Sequence, residues 1–189
     1  MSRCRHHAAR FWRVSARAPG RSTAPPVCSA RPGEMHIYFC GSIRGGRDDV
    51  HVYRRIVHEL RTYGTVLTEH VSDERLTDTG EKTEAGDKEI HDRDVDWLRQ
   101  SHVVVAEVTQ PSLGVGYELG RAVDMNKQVL CLFRPESGRL SAMIRGAEDG
   151  RRFVVQDYSE EQVQTVLKRF FKDFCGSSSS PTTPKKMSE

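Results

Sequence analysis

The stretch "HVVVAEV" (His102–Val108) is apolar throughout except for its first residue and one glutamate. A strand with one wet face alternates apolar and polar residues. A continuous run instead reads as a strand covered on both faces, as in parallel sheets flanked by helices. Working outward, "HIYFC" (His36–Cys40) and "QVLCLF" (Gln128–Phe133) read the same way, and "TVLTEHV" (Thr65–Val71) and "RFVVQDY" (Arg152–Tyr158) complete five strands. Helical spacing separates them. Tyr53, Ile56, Val57, Leu60 and Tyr63 share one face, with Asp48 and Asp49 expected in that helix's first turn and Gly64 at its C-terminal stop. Further helices are expected over Lys88–Gln100, Gly114–Asn126 and Glu160–Phe174, and Ser72–Gly86 reads as a polar loop. Alternating strands and helices predict an α/β fold: a doubly wound five-stranded parallel sheet, Rossmann/flavodoxin-like, strand order 2-1-3-4-5, with right-handed crossovers. Its switch point lies between strands one and three, where ligands bind at the carboxyl ends. "GSIRGG" (Gly41–Gly46) and "TQPSLGVGYELG" (Thr109–Gly120) then face each other across one crevice.

Composition bounds the rest. Residues 1–33 of the 189 hold seven arginines and no acid. The remainder has 22 basic against 26 acidic side chains, so the overall +3 conceals a domain of net −4. Residues 1–34 read as an Arg-rich leader, either disordered or transit-like, residues 35–175 as the folded domain and residues 176–189 as a low-complexity disordered tail. A mildly acidic domain carries no electrostatic footprint for nucleic acid. No apolar run approaches the ~20 residues that span a bilayer, so no membrane partner is expected. The five cysteines are scattered without metal-ligand spacing, and Cys40 and Cys131 read as core thiols inside strands.

The loop after strand one lacks both the dinucleotide fingerprint and the Walker A pattern, and nothing suggests a metal or another cofactor. A glycine-rich turn there suits a small phosphorylated ligand held by backbone N–H groups, or a plain tight connection. Two carboxylates stand out. On a helix with Ile90 at zero, Trp97, Leu98 and Val95 fall at about −20°, 80° and 140°. Asp94 falls at about 40°, inside that apolar arc, while Asp92, Arg93, Asp96 and Arg99 fall outside it. A carboxylate on a buried face must be paired or shifted in pKa, so Asp94 is either a satisfied structural acid or a site acid with a raised pKa. Glu118 lies at the edge of the stripe Leu119, Ala122, Val123 and Met125, in what reads as a first turn where the helix dipole keeps it ionised. A protonable and an ionised carboxylate entering one crevice are what glycosidic cleavage uses.

The stretches "YFCGSIRGG", "GTVLTEHV", "HDRDVDWL", "SHVVVAEV", "TQPSLGVGYELGRAV" and "SGRLSAMIRG" together closely resemble the 2′-deoxynucleoside 5′-monophosphate N-glycosidase family of the nucleoside 2-deoxyribosyltransferase superfamily. The resemblance spans about Met35 to Phe174. It implies a hydrolase that takes a small-molecule deoxynucleoside monophosphate, needs no cofactor and forms a covalent sugar ester on a glutamate. Glu118 of "GYELG" matches that nucleophile, and Asp94 matches a second carboxylate that assists the departing base or positions the sugar. Tyr38 matches a tyrosine beside both. Gly41, Ser42, Ile43, Arg44 and Gly45, with Ser112 and Gly114, resemble the substrate and 5′-phosphate cradle, and His70 and Met143 the base and sugar pocket. Ser141 resembles a serine that reaches the neighbouring subunit's phosphate, which implies a homodimer. Here the run before that serine is one residue shorter than the family pattern, which re-aims it. The resemblance implies a cytoplasmic and nuclear setting, with mitochondrial targeting by the leader as the alternative. A deoxyribosyltransferase and a non-catalytic nucleotide-binding module are the competing readings of the same loops.

Overall fold

The computed structural model describes residues 34–176 apart from 82 and 85, so the leader, the tail, Cys4 and Cys28 lie outside the described residues. The strands are β1 (His36–Cys40), β2 (Thr65–Val66), β3 (Val103–Glu107), β4 (Gln128–Phe133) and β5 (Phe153–Asp157). They form one sheet in the order β2-β1-β3-β4-β5, every neighbouring pair parallel. The helices are α1 (Val50–Leu60), α2 (Asp87–Gln100), α3 (Leu113–Asp124), a single turn α4 (Ala142–Arg145) and α5 (Val163–Gly176). No helix among the described residues is long and apolar enough to cross a membrane.

The period-2 alternation of buried strands divides the core in two. Ile37 and Phe39 of β1, Val103 and Val105 of β3 and Leu130 and Leu132 of β4 face α1 and α5, where Val52, Ile56, Leu60 and Leu167 meet them. Tyr38 and Cys40, Val104 and Ala106, and Val129 and Cys131 face the other way, onto Leu98 of α2 and Val115, Leu119 and Ala122 of α3. One residue of β1 register therefore decides that Tyr38 lies on the same side of the sheet as α2 and α3.

Several local expectations change. β2 is two residues long rather than seven. Beyond it, the Thr68 hydroxyl accepts from the Phe39 N–H at 2.9 Å and donates to the Phe39 carbonyl at 2.6 Å. A side chain thus satisfies the backbone groups a longer strand would have paired, which frees the chain to turn into a 3-10 segment over Glu69–Ser72 that carries His70. Asp49 occupies the α1 N-cap and makes no cap bond, so neither Asp48 nor Asp49 is inside the first turn. Gly64 lies past the Arg61 cap rather than at the stop. Its role is close approach, since a Cβ there would stand 2.2 Å from the Met35 carbonyl oxygen. Val123, expected in the α3 stripe, is half exposed.

Candidate active site

A cavity of about 580 Å³ opens at the carboxyl ends of β1 and β3. The turn after β1 contributes Gly41, Ile43, Arg44 and Gly45, the start of α3 contributes Ser112 and Gly114, and Tyr38, His70, Asp94 and Glu118 complete the wall. Topology brings these ten residues together from four separated segments. The two loops touch closely: a Cβ on Gly45 would stand 2.6 Å from the Pro111 carbonyl oxygen and 2.7 Å from the Ser42 hydroxyl, so only glycine fits there. The Gln110 side-chain amide donates to the Gly45 carbonyl at 3.0 Å and ties the loops together.

Ser42 is the exception within the turn. It is fully buried behind the cavity wall, its N–H donates to the Tyr53 hydroxyl at 3.1 Å, and its own hydroxyl has no partner among the described residues. The Gly46 N–H is taken by the Ile43 carbonyl at 3.1 Å. That leaves the backbone donors of Ile43, Arg44 and Gly45 to meet an anion, with the N-terminus of α3 opposite. The Arg44 guanidinium points elsewhere: it is exposed and donates to Asp87 at 2.7 Å, across the cavity mouth. Ser141, at the α4 N-cap, and Met143, 82% exposed, are not among the residues lining the cavity of their own chain.

The two carboxylates meet from different helices. Glu118 lies in the second turn of α3, not the first, beyond the reach of the dipole argument. Its carboxylate accepts from the Tyr38 hydroxyl at 2.5 Å, across a gap of 80 residues in sequence. Burial pushes the Glu118 carboxyl up to about 7; the Tyr38 bond pulls against that rise and Asp94 adds to it. This overturns the expectation that the dipole keeps it readily ionised. Burial also raises the Tyr38 hydroxyl well above its ordinary range, so tyrosine remains the donor. Asp94 is half-buried and raised by burial, against the opposing Arg93 guanidinium at 2.9 Å.

The helical wheel put Arg93 outside the buried arc, yet it is folded inward. Its guanidinium lies 4.6 Å over Trp97 and grips Glu81 with two bonds of 2.7 and 2.8 Å. His70 also meets Glu81 at 2.9 Å, and burial lowers its pKa, so it is neutral near pH 7. Glu81, Asp87 and His91 line the cavity and were missed in the sequence. Nothing in "DTGEKTEAGD" distinguishes Glu81 from its solvated neighbours. Glu107 had a signal: a lone acid in a continuous apolar strand is a buried charge, and it is fully buried with a raised pKa.

A stability prediction follows from Glu118. The folded chain holds a proton on it that the unfolded chain releases above its ordinary value of 4.5. Because the folded pKa is raised, the contribution is whole below about 4.5 and is lost as pH rises toward about 7. At about 1.4 kcal/mol per pH unit the loss is about 3 kcal/mol. Urea midpoints at pH 4.5 and 7.5 should therefore favour Glu118→Gln over the wild type at the higher pH only. Parallel pH profiles for the two proteins would contradict the assignment.

Comparison with known proteins places these residues in context. The sequence model described as nucleoside 2-deoxyribosyltransferase matches residues 37–164. A protein of Tetraodon nigroviridis named 5-hydroxymethyl-dUMP N-hydrolase is 68% identical over 140 residues, which cover 74% of this chain and 99% of that one. Proteins of the same name from Mus musculus and Homo sapiens are 64% and 59% identical, over 81% and 84% of this chain and 93% and 91% of their own length.

Proposed function

This chain belongs to the nucleoside 2-deoxyribosyltransferase family and is an N-glycosidic hydrolase of 2′-deoxynucleoside 5′-monophosphates; we propose that it works through a sugar ester on Glu118 and that 5-hydroxymethyl-dUMP is among its substrates. The observation that carries the mechanism is the convergence of Glu118, its Tyr38 hydrogen bond and Asp94 on one cavity beside a glycine turn and a helix N-terminus.

The phosphate dianion sits against the N–H groups of Ile43, Arg44 and Gly45 and the start of α3, where fixed dipoles compensate its charge. Arg44 joins by leaving Asp87; an ion pair this exposed is weak, so a dianion displaces it. Held at that end, the substrate presents its anomeric carbon to Glu118. Glu118 in its ionised form, which gains population as pH passes about 7, bonds to the anomeric carbon as the carbon–nitrogen bond breaks. The bonding pair leaves on the base, and Asp94 delivers the proton that the base acquires. Water then attacks the same carbon, the ester bond breaks, Glu118 leaves as carboxylate and Asp94 takes back a proton from the water. The products are the free base and 2-deoxyribose 5-phosphate. Tyr38 stabilises the Glu118 charge before and after each step.

We further propose a homodimer in which Ser141 reaches the neighbouring site. Supporting it, Leu113, Tyr117 and Val123 of α3 and Met143 of α4 are exposed apolar side chains, and Ser141 lies away from the cavity of its own chain.

The test is base release from 5-hydroxymethyl-dUMP, other deoxynucleotides, ribonucleotides and free deoxynucleosides, with and without a second base in excess. Free base should appear from the deoxynucleotides and fall on the order of 10²-fold or more for nucleosides, which lack the anchoring phosphate. Equal turnover of nucleosides would reject the phosphate anchor, and a new nucleotide formed on the added base would establish transfer in place of hydrolysis.

A further inference from the structure

The mechanism above leaves Glu81 unused, although it lines the cavity. Its carboxylate is the centre of a charged cluster drawn from three segments. Glu81 comes from the loop before α2, Arg93 and Asp94 from α2, and His70 from the 3-10 turn after β2. Arg93 turns one edge of its guanidinium to Glu81, Nη1 to Oε2 at 2.7 Å and Nη2 to Oε1 at 2.8 Å. The other edge reaches Asp94, Nε to Oδ1 at 3.0 Å and Nη2 to Oδ1 at 2.9 Å. One planar cation therefore serves two carboxylates, and the Trp97 ring beneath it fixes its plane.

We propose that Glu81 is a positioning residue for the reaction: its two-point grip fixes the Arg93 fork beside Asp94 and withholds part of that cation's charge from the Asp94 carboxyl. The proposal rests on reading Asp94 as the proton donor. The division of charge is unequal. A two-point grip is the stronger form of this contact, and Asp94 receives the fork through one oxygen only. Arg93 holds Glu81 below its ordinary value; Asp94 is raised by burial, with Arg93 opposing the rise and the Glu81 charge adding to it. Were Glu81 absent, Asp94 would have the guanidinium to itself and would part with its proton at lower pH, which narrows the pH range over which it can protonate the departing base.

The other groups around Asp94 do not offer the same control. Glu118 of α3 shares the cavity with Asp94, and it is the Asp94 charge that raises the proton affinity of Glu118. Tyr38 of β1 is raised well above its ordinary range and stays protonated. His70, which touches Glu81, lowers Asp94 when it is protonated, but burial lowers its own pKa and so removes that charge as pH rises. On the outer side of the cavity, His91 is hydrogen-bonded to Tyr117 at 2.9 Å and to Asp92 at 2.9 Å.

The test uses the full chain and follows two readouts. Asp94 is titrated directly by carbon-13 NMR of its carboxyl, assigned with Asp94→Asn, and the pH profile of base release from 5-hydroxymethyl-dUMP is recorded. In Glu81→Gln, Asp94 should titrate about one pH unit lower, a shift of the size expected when a neighbouring cation is released to a single partner. The alkaline limb of the rate profile should move down with it. Glu81→Asp, which keeps the charge, should restore most of both. If the glutamine variant does not fold, Glu81→Ala removes the same charge from a loop position and should give the same shift. An Asp94 midpoint that is unchanged or higher without the Glu81 charge overturns the proposal. The NMR readout needs no turnover, so an Asp94 that shifts as expected while the rate profile stays fixed removes Asp94 as proton donor and leaves the charge sharing intact.

Discussion

Glu118→Ala should lower the single-turnover rate of base release by at least about 10⁴-fold, the scale on which loss of a covalent nucleophile acts. The loss should appear in the chemical step, with substrate affinity nearly preserved, because the phosphate is held some distance away at the turn after β1. The reason is geometric. Glu118 is the carboxylate fixed by the Tyr38 hydroxyl at 2.5 Å, and Tyr38 is held on the inner strand β1, where it pairs with Val104 of β3. Asp94, from the facing helix, is already engaged by Arg93 and is not equivalently placed to replace it. Asp94→Asn provides the contrast, since a base that is a good leaving group needs less protonation than the sugar needs a nucleophile. Full activity in the alanine variant would remove Glu118 from the reaction.

The largest stability effect is expected at Arg134, on the opposite face of the sheet. Its guanidinium is 15% exposed and meets Asp49 at 2.5 Å, Glu160 at 3.2 Å and the fully buried Glu107 at 3.7 Å. The Tyr158 hydroxyl donates to Glu107 at 3.1 Å, and Thr109 donates to it through its N–H at 3.2 Å and through its hydroxyl. Arg134→Met leaves the buried Glu107 and the part-buried Asp49 without their cation and should cost about 3–5 kcal/mol. Chemical denaturation at pH 7 measures it. Adding Glu107→Gln should recover part of the loss, since it removes the carboxylate the first change orphans. Simple additivity of two destabilising effects would show that the cation and the carboxylate are not coupled. The cluster also bears on the site, because Asp49 opens α1 just after the glycine turn and Thr109 precedes the segment that begins α3. Loosening it should weaken phosphate binding as well.

The sequence by itself determined the layout. The succession of strands and helices and the positions of Asp94 and Glu118 on two of those helices follow from which segments are continuously apolar and which repeat every three to four residues. Those are local properties, set within one element. The strand order and the facing loops came from the commonest topology of such sheets. Where local competition intervened, the reading ran long, as at β2, whose ladder is taken over by one threonine hydroxyl. The ionisation of the site was decided by tertiary structure alone. Glu118 was read as readily ionised from its place along a helix, yet burial against Tyr38 raises it. Arg93 was read as lying outside the buried arc from its angle on the wheel, yet Glu81 and Asp94 draw it in. Proton affinity depends on how much water is excluded and which charges stand within a few ångströms. Those neighbours come from segments up to 80 residues away, so the pattern of any one element contains no record of them.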